Sequence, residues 1–568
     1  MKNKFLYLTV VLGMMLGFSS CNLDVVPSDE LNSDVLLQDA SGAGYIMDGC
    51  YAMLKDEIDF LGYSSGNTYI RHYTQLSEFP SDNICLSAHS EDPLYEATCY
   101  MMNDGLKNVG TLWMVGYKVI YMCNTVISTL DEKDESSHQL LGEAYFMRGL
   151  MHLHLVTLYA KPYSHGRDNL GIPLRTSTSS EVTVRNPVGE VYDQIVLDLR
   201  KAADLMGKSR GNAGYPSKDA ALGLLSRVYL YMEDYDKCIA TVDEALNGAS
   251  AASKLDPDLA TYFANAKDRD ETLFCVVHET VDDRGQGSIG SMYLKDGIGW
   301  GEVYPSDPLM ALYERYPMDV RYSDIIWPQY TGSNDVYAYF PEPSSISEES
   351  GSVKLKFKLT DDGAGNYSFK SEGKTYNIEK RQVNGEGKAD AAGEYFENHV
   401  NFGGKDMLAF VSKEITLRPR YTFPMIFSKK FSYQDGNPML ASPVLLRWGE
   451  VILNRAEAYA HKGMNAEALD DVNAIRTRAG IPAAGLFAVG NLHGYDNVLN
   501  VVMDERRLEL AFEGFRMHDI YRNKRNMDRQ YAGIQPWKIH KWDEEKHIVY
   551  PIPNNEWTVS HIPQNPGY

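Results

Sequence analysis

Cys21 is the residue whose position defines a chemistry most sharply. It follows Ser19 and Ser20 at the end of a mostly apolar run, Phe5 to Leu16, which Lys2 and Lys4 precede. A basic start, a short apolar stretch and small residues before a cysteine make the bacterial lipobox arrangement, with Phe18 where leucine is usual. In that chemistry the thiol takes a diacylglycerol and becomes the mature N-terminus. Residues 1–20 therefore read as a signal peptide and Cys21 as a lipidation site. The apolar run is too short to span a bilayer. Asn22 to Asn32 (NLDVVPSDELN) is polar and suits a tether.

Other constellations carry less. Gly285-Gln286-Gly287-Ser288-Ile289-Gly290 fits G-x-G-x-x-G. A phosphate-binding loop needs a sustained helix after it, and Gly297 and Gly299 follow too soon, so a loop beside a binding surface is the expectation. His152 and His154 sit two apart on a helix and point to different faces, which excludes chelation of one metal. Glu509 and Glu513 lie among Arg506, Arg507 and Arg516 at helical spacing. Neighbouring guanidiniums hold such carboxylates ionised, unlike a raised-pKa catalytic acid. The sequence has no metalloprotease, EF-hand, Walker or nucleophile-elbow motif, so no cofactor is expected. Cys50, Cys85, Cys99, Cys123, Cys238 and Cys275 lack metal-type spacing; Cys85 with Cys99 is the first candidate disulfide, buried free thiols the alternative.

Helices must position these groups. Apolar spacing predicts helices over Asp39 to Ile58, Val109 to Leu130, His138 to Tyr159 and Pro187 to Met206. Lys218 to Leu246 has the spacing of a tetratricopeptide (TPR) hairpin, with Leu222, Leu225, Ser226 and Tyr229 on one helix and Tyr235, Cys238, Val242 and Ala245 on the next. A second copy runs from Ile452, Ala456 and Tyr459 through Gly463 to Ala468, Val472 and Ile475. Between the copies, Glu271 to His278 reads as a strand. Val353 to Leu359 alternates with lysines and, across Asp361 to Asn366, is expected to pair with Tyr367 to Ile378. The fold class is thus mostly α, a TPR-like scaffold interrupted by a loop-rich insertion with β-hairpins. The chain divides into 1–20, a helical region 21–270, and 271–568, itself an insertion at 271–440 and a TPR-like pair with C-terminal segment at 441–568. A net charge of −22 argues against nucleic acid.

Four segments resemble one family, the SusD/RagB-like nutrient-binding lipoproteins of Bacteroidetes-type bacteria. They are Glu143 to Tyr163 (EAYFMRGLMHLHLVTLYAKPY), Arg447 through Ala456-Glu457-Ala458 to Arg478-Ala479-Gly480, Asp504 to Arg522 (DERRLELAFEGFRMHDIYR), and Pro551-Ile552-Pro553 with Gln564-Asn565-Pro566-Gly567-Tyr568. The resemblance implies a lipid-anchored, non-catalytic glycan-binding subunit facing the cell exterior. It also implies a partner, a TonB-dependent (SusC-like) outer-membrane transporter.

Sugar binding requires aromatic faces for pyranose C–H surfaces and polar side chains for hydroxyls. Two stretches offer both, and the chain has 38 Tyr in all. Tyr63 to Tyr100 holds Arg71, Tyr73, Asp82, Asn83 and Tyr95; Trp300 to Tyr339 holds Trp300, Tyr304, Trp327 and Tyr330. Trp300 between glycines and Trp327 before Pro328 lead, because their flanks predict loops. Asp319 and Arg321 are expected to be structural. The rival readings are a surface glycoside hydrolase, whose carboxylate pair need not form a sequence motif, and a TPR scaffold or importer subunit that binds peptide.

Overall fold

The computed structural model describes residues 40–57, 68–87, 94–179, 184–295, 297–349, 351, 353–382, 388–389, 395–418, 422–544 and 546–568. The signal segment, Cys21 and Tyr63 lie outside them. The long helices are α1 (Ala40–Lys55), α2 (Tyr69–Glu78), α3 (Lys107–Thr129), α4 (His138–Tyr159), α5 (Val188–Leu205), α6 (Lys218–Tyr231) and α7 (Tyr235–Leu246). After the insertion come α8 (Trp448–His461), α9 (Asn465–Arg478) and α10 (Val498–Leu510), then the short α11 (Arg516–Arg522) and α12 (Asn554–Ser560). None of the described helices is long and apolar enough to cross a membrane.

Local chemistry sets the helix ends. Ser217 Oγ accepts from the Ala220 amide to start α6, and Asp234 accepts from the Lys237 amide to start α7. Pro187, with no N–H to leave unpaired, precedes α5. Gly463 turns α8 into α9 at φ +73°, a left-handed conformation that glycine adopts without a Cβ clash. The α4 helix is buried on nearly every side, including Glu143, Arg148, His152 and His154. That matches a helix that is apolar all round rather than striped.

The two TPR-like hairpins are neighbours in space. The Cys238 thiol donates to the Asn454 carbonyl at 3.6 Å, and Asn454 Nδ2 donates to Ser226 Oγ at 3.2 Å. The intervening insertion loops out and returns, so the scaffold is continuous although the chain is not.

The insertion carries short strands. β1 (Ile84–Leu86) pairs with β3 (Val303–Pro305), and β2 (Thr272–Cys275) with β13 (Val444–Arg447). β4 (Ile326–Pro328) pairs with β12 (Ile426–Ser428). β5 (Val336–Pro341) lies between β6 (Lys354–Lys358) and β11 (Phe410–Lys413), all antiparallel. β7 (Tyr367–Ser371) and β8 (Lys374–Asn377) make their own hairpin, and β9 (Tyr395–Phe402) pairs with β10 (Lys405–Leu408).

This corrects the expected hairpin. The partner of β6 is β5, with Phe357 opposite Ala338, and only Thr360–Asp361 meets β7. The reason is a tighter turn downstream: Glu372 and Gly373 both have positive φ, the geometry that closes a two-residue hairpin. Phe340, Phe357, Phe369, Tyr376 and Phe402 stack together in a small second core beneath these strands. The lysines of β6 are paired: Lys354 with Asp307, Lys356 with Glu414 at 2.7 Å, and Lys358 with Asp335 at 2.6 Å.

Charged residues of the C-terminal motifs are interior. Arg321 donates to Asp319, Glu505 and Glu509, while Arg447 reaches Glu271, Glu509 and Glu513. Burial raises the Glu509 carboxyl, but Arg478, Arg447 and Arg321 outweigh it and hold the group well below the usual carboxylate range. The segment is a buried clamp, and Asp319 and Arg321 belong to it. The six cysteines from Cys50 to Cys275 are buried and free. Cys85 faces the Pro305 carbonyl at 3.9 Å and Cys99 the Ile534 carbonyl at 3.7 Å, so the candidate disulfide is not formed.

Candidate ligand-binding site

The loop before β3 builds a platform for Trp300. Its amide donates to the Ser291 carbonyl at 2.7 Å, and the Gly301 amide to Leu294 at 2.9 Å. Gly299 lets this return pass closely, since a Cβ there would lie 2.2 Å from the Ser291 oxygen. The indole Nε1 donates to the Gln286 carbonyl at 2.9 Å, which fixes the ring while leaving the residue 48% exposed. Gln286 belongs to the glycine-rich run, whose first three residues form a 3-10 turn. Trp327, on β4, is partly exposed, with Lys295 and Lys429 ammoniums 5.7 and 5.3 Å from its ring centre. Tyr330 is 49% exposed, with its phenol bonded to that of Tyr322.

The remaining sequence candidates have little surface to offer. Tyr304 is buried, its hydroxyl donating to the Gly301 carbonyl at 2.7 Å and its ring packed on Phe423 and Phe427. Tyr73 is buried against the His154 ring, centres 3.6 Å apart. Arg71 Nη1 donates to the Gly287 carbonyl at 3.3 Å. Asp82 accepts both nitrogens of the Arg516 fork at 2.7 and 2.9 Å. Burial raises its carboxyl, but Arg507 and Arg516 outweigh that and hold it far below its ordinary range. Asn83 accepts from Arg507 Nε and donates to Glu78. Tyr95 is partly buried, its phenol pushed well up by burial and by the adjacent Cys99 thiol.

Arg71, Tyr73, Asp82, Asn83 and Tyr304 therefore sit in the interior of this structure, where the expectation had put a ligand surface. The physical reason is long-range: the polar run after α2 looks like a solvated loop, but arginines more than four hundred residues later turn it into an anchor.

A concave site lies elsewhere, on the outer side of α3. Trp113, Tyr117 and Tyr121, four residues apart, line a groove of about 330 Å³ with Met114. It is also lined by Pro173, Arg175, Ser177 to Ser179 and, from α12, Glu556. The groove is braced: Tyr117 donates to the Pro173 carbonyl at 2.8 Å, and Asn124 Nδ2 to the Ser177 carbonyl at 3.0 Å. Tyr121 is 55% exposed. Burial raises the Glu556 carboxyl, which is bonded to Ser560 and to Trp113. Sequence reasoning missed this site by reading α3 for its core face alone; the four-residue aromatic spacing was the available signal.

His152 and His154 are both internal and separately bonded, one to the Arg148 carbonyl and the other to the Tyr69 phenol.

Comparison with known proteins follows the same lines. Residues 51–230 match the SusD-like family described as starch-binding and associating with the outer membrane, and residues 294–568 match the SusD family. The chain is 25% identical over 489 residues to SusD-like protein P2 of Formosa agariphila, covering 83% of each. A SusD superfamily protein from Bacteroides thetaiotaomicron superposes with a TM-score of 0.67 at 20% identity, over 93% of this chain and 99% of that one. A laminarin-binding SusD-like protein superposes at 0.58 with 18% identity, over 94% and 100%. Two successive family matches, a relative matched over 83% of its length and the shared helical fold agree: the chain belongs to the SusD/RagB family.

Proposed function

We propose that this protein is a non-catalytic, surface-exposed outer-membrane lipoprotein, anchored through Cys21, that captures oligo- or polysaccharide for a TonB-dependent, SusC-like transporter. The observation that carries the binding step is the α3 groove. It combines a stripe of aromatic rings with the hydroxyls of Ser177, Thr178 and Ser179, the Arg175 side chain and the Glu556 carboxyl. Apolar ring faces beside convergent polar groups suit a sugar, and the volume is at the lower end of the ligand-site range. Glu556 is the one carboxylate among the described residues lining it, whereas glycoside hydrolysis ordinarily takes a pair. A laminarin-binding relative of the same fold supports the ligand class. A single lipid on a tether attaches without orienting, which supports a membrane partner. Residues 21–270 and 271–568 would then form one binding body on that anchor.

A panel of purified polysaccharides, laminarin among them, tests this by gel retardation and calorimetry. Tyr117→Ala with Tyr121→Ala should weaken the retained glycan about tenfold, roughly 1.4 kcal/mol. Shorter products in the incubation would overturn the non-catalytic reading. A second reading places the sugar against the Trp300 ring, which is fixed by its hydrogen bond and half-exposed. Loss of retention in Trp300→Ala alone would select it.

A further inference from the structure

We propose that His540, Glu544 and His547 form a binding site for a divalent metal of the zinc type. The three sit at positions i, i+4 and i+7 of a turn in the C-terminal segment, and one ligand atom from each lies within 4.8 Å of the others. Strand pairing of Ile539–His540 with Met527–Asp528 fixes the first ligand. The Tyr100 ring stacks on the His540 imidazole with centres 3.8 Å apart.

Two features point to a ligand rather than to packing. His540 is fully buried, and neither of its ring nitrogens has a hydrogen-bond partner. A buried imidazole with both nitrogens unpaired carries a desolvation cost that a metal bond would offset. Glu544 is divided in its work: Oε1 accepts the Lys541 amide at 3.2 Å, while Oε2 is turned to both imidazoles. It lies 3.8 Å from His540 Nδ1 and 3.5 Å from His547 Nδ1. Zinc bonds of about 2.0–2.1 Å at tetrahedral angles place ligand atoms about 3.3 Å apart, so small side-chain rotations close the site. His547 has φ +84°, rare for a residue with a side chain, and it holds that imidazole toward Glu544.

Nearby charge opposes binding in part, through three cationic side chains. Arg529, Lys538 and Lys546 repel a cation. Arg529, however, is engaged with the Phe79, Pro80 and Thr98 carbonyls, and the Lys546 ammonium lies over the Tyr568 ring. Three protein ligands leave a fourth position for water, and the bound ion would tie the C-terminal turn to the segment around Tyr100.

Equilibrium dialysis of the full mature chain against Zn²⁺, after treatment with a chelator, tests the site. The expected result is one equivalent bound with a raised melting midpoint, and binding weakened about tenfold or more in Glu544→Gln and in His547→Asn. Asparagine tolerates positive φ, so that variant should fold; Glu544→Gln decides if it does not. No stoichiometric Zn²⁺ in the wild type, or an equivalent retained in the variants, overturns the proposal.

Discussion

Arg227 of the first TPR-like hairpin forks onto Glu450 of the second, with Nε to Oε1 and Nη2 to Oε2 both at 2.6 Å. The two residues are separated by 223 positions, and both are essentially buried. Arg227 Nη2 also donates to the Leu445 carbonyl, so the fork ties the strand that enters α8 as well as α8 itself. The long insertion can leave and return because this clamp, with the Cys238 and Asn454 contacts beside it, fixes both ends of the interruption.

Breaking one side of such a pair leaves a buried charge alone. Arg227→Met should therefore cost about 3–5 kcal/mol of unfolding free energy, and the double variant with Glu450→Met should regain most of it. Urea midpoints measure both. A single variant as stable as the wild type would show that the clamp is not energetically important.

The buried histidines set a pH dependence whose sign follows from burial. His72 and His152 are lowered to about 3 and His518 to about 4, each chiefly by desolvation, with neighbouring arginines adding to it. The unfolded chain takes these protons near pH 6.5, so the stability they contribute is present above that value and is lost as pH falls toward 4. Glu78 acts the other way: burial, outweighing its bonds from Asn83, Gly514 and Phe512, raises it to about 7. Its protonation in the fold adds stability as pH falls between about 7 and 4.5. Other buried histidines, His154 and His278 among them, are lowered as well, and the arginine-paired Asp82, Glu509 and Glu513 carboxyls are held low, so stability should decline on acidification. His152→Gln should flatten that decline by about 1.4 kcal/mol per pH unit between roughly pH 6 and 4. An unchanged slope in denaturation curves across that range would contradict the assignment.

Thiol state gives a simpler check. Alkylation of the denatured, unreduced mature protein should modify all six cysteines from Cys50 to Cys275, because each is free in the fold. A mass short of full alkylation by two labels would indicate a disulfide instead.

The sequence made the helices legible but the site only in part. His138 to Tyr159 could be read residue for residue, since its apolar positions and the following Pro162 fix both limits. Both TPR hairpins were readable for the same reason, but their contact through Arg227 and Glu450 was not, because no local spacing encodes a partner 223 residues away. Asp82 and Asn83 misled for that same cause. A polar pair in a turn has one composition whether it faces water or the Arg507 and Arg516 guanidiniums. Trp300 differed: flanking glycines signalled an irregular loop, and irregular backbone near a surface leaves rings exposed.

Trp300 and Tyr304 form the sharpest test of that distinction, since they lie four residues apart, one in the loop before β3 and one on β3, and shared one initial expectation. Tyr304 fills a pocket with Phe423, Phe427 and Tyr531, and its hydroxyl holds the Gly301 carbonyl. Tyr304→Ala should cost about 3–5 kcal/mol, in the range of buried aromatic truncations. Tyr304→Phe keeps the ring and should lose only about 0.5–1.5 kcal/mol, the usual worth of a hydrogen bond. Trp300→Ala removes a half-exposed ring that makes one hydrogen bond, so it should cost no more than about 1.5 kcal/mol. Denaturation midpoints of the three variants read the order directly. Equal losses in Trp300→Ala and Tyr304→Ala would place Trp300 in the core and remove it from the candidate binding surface.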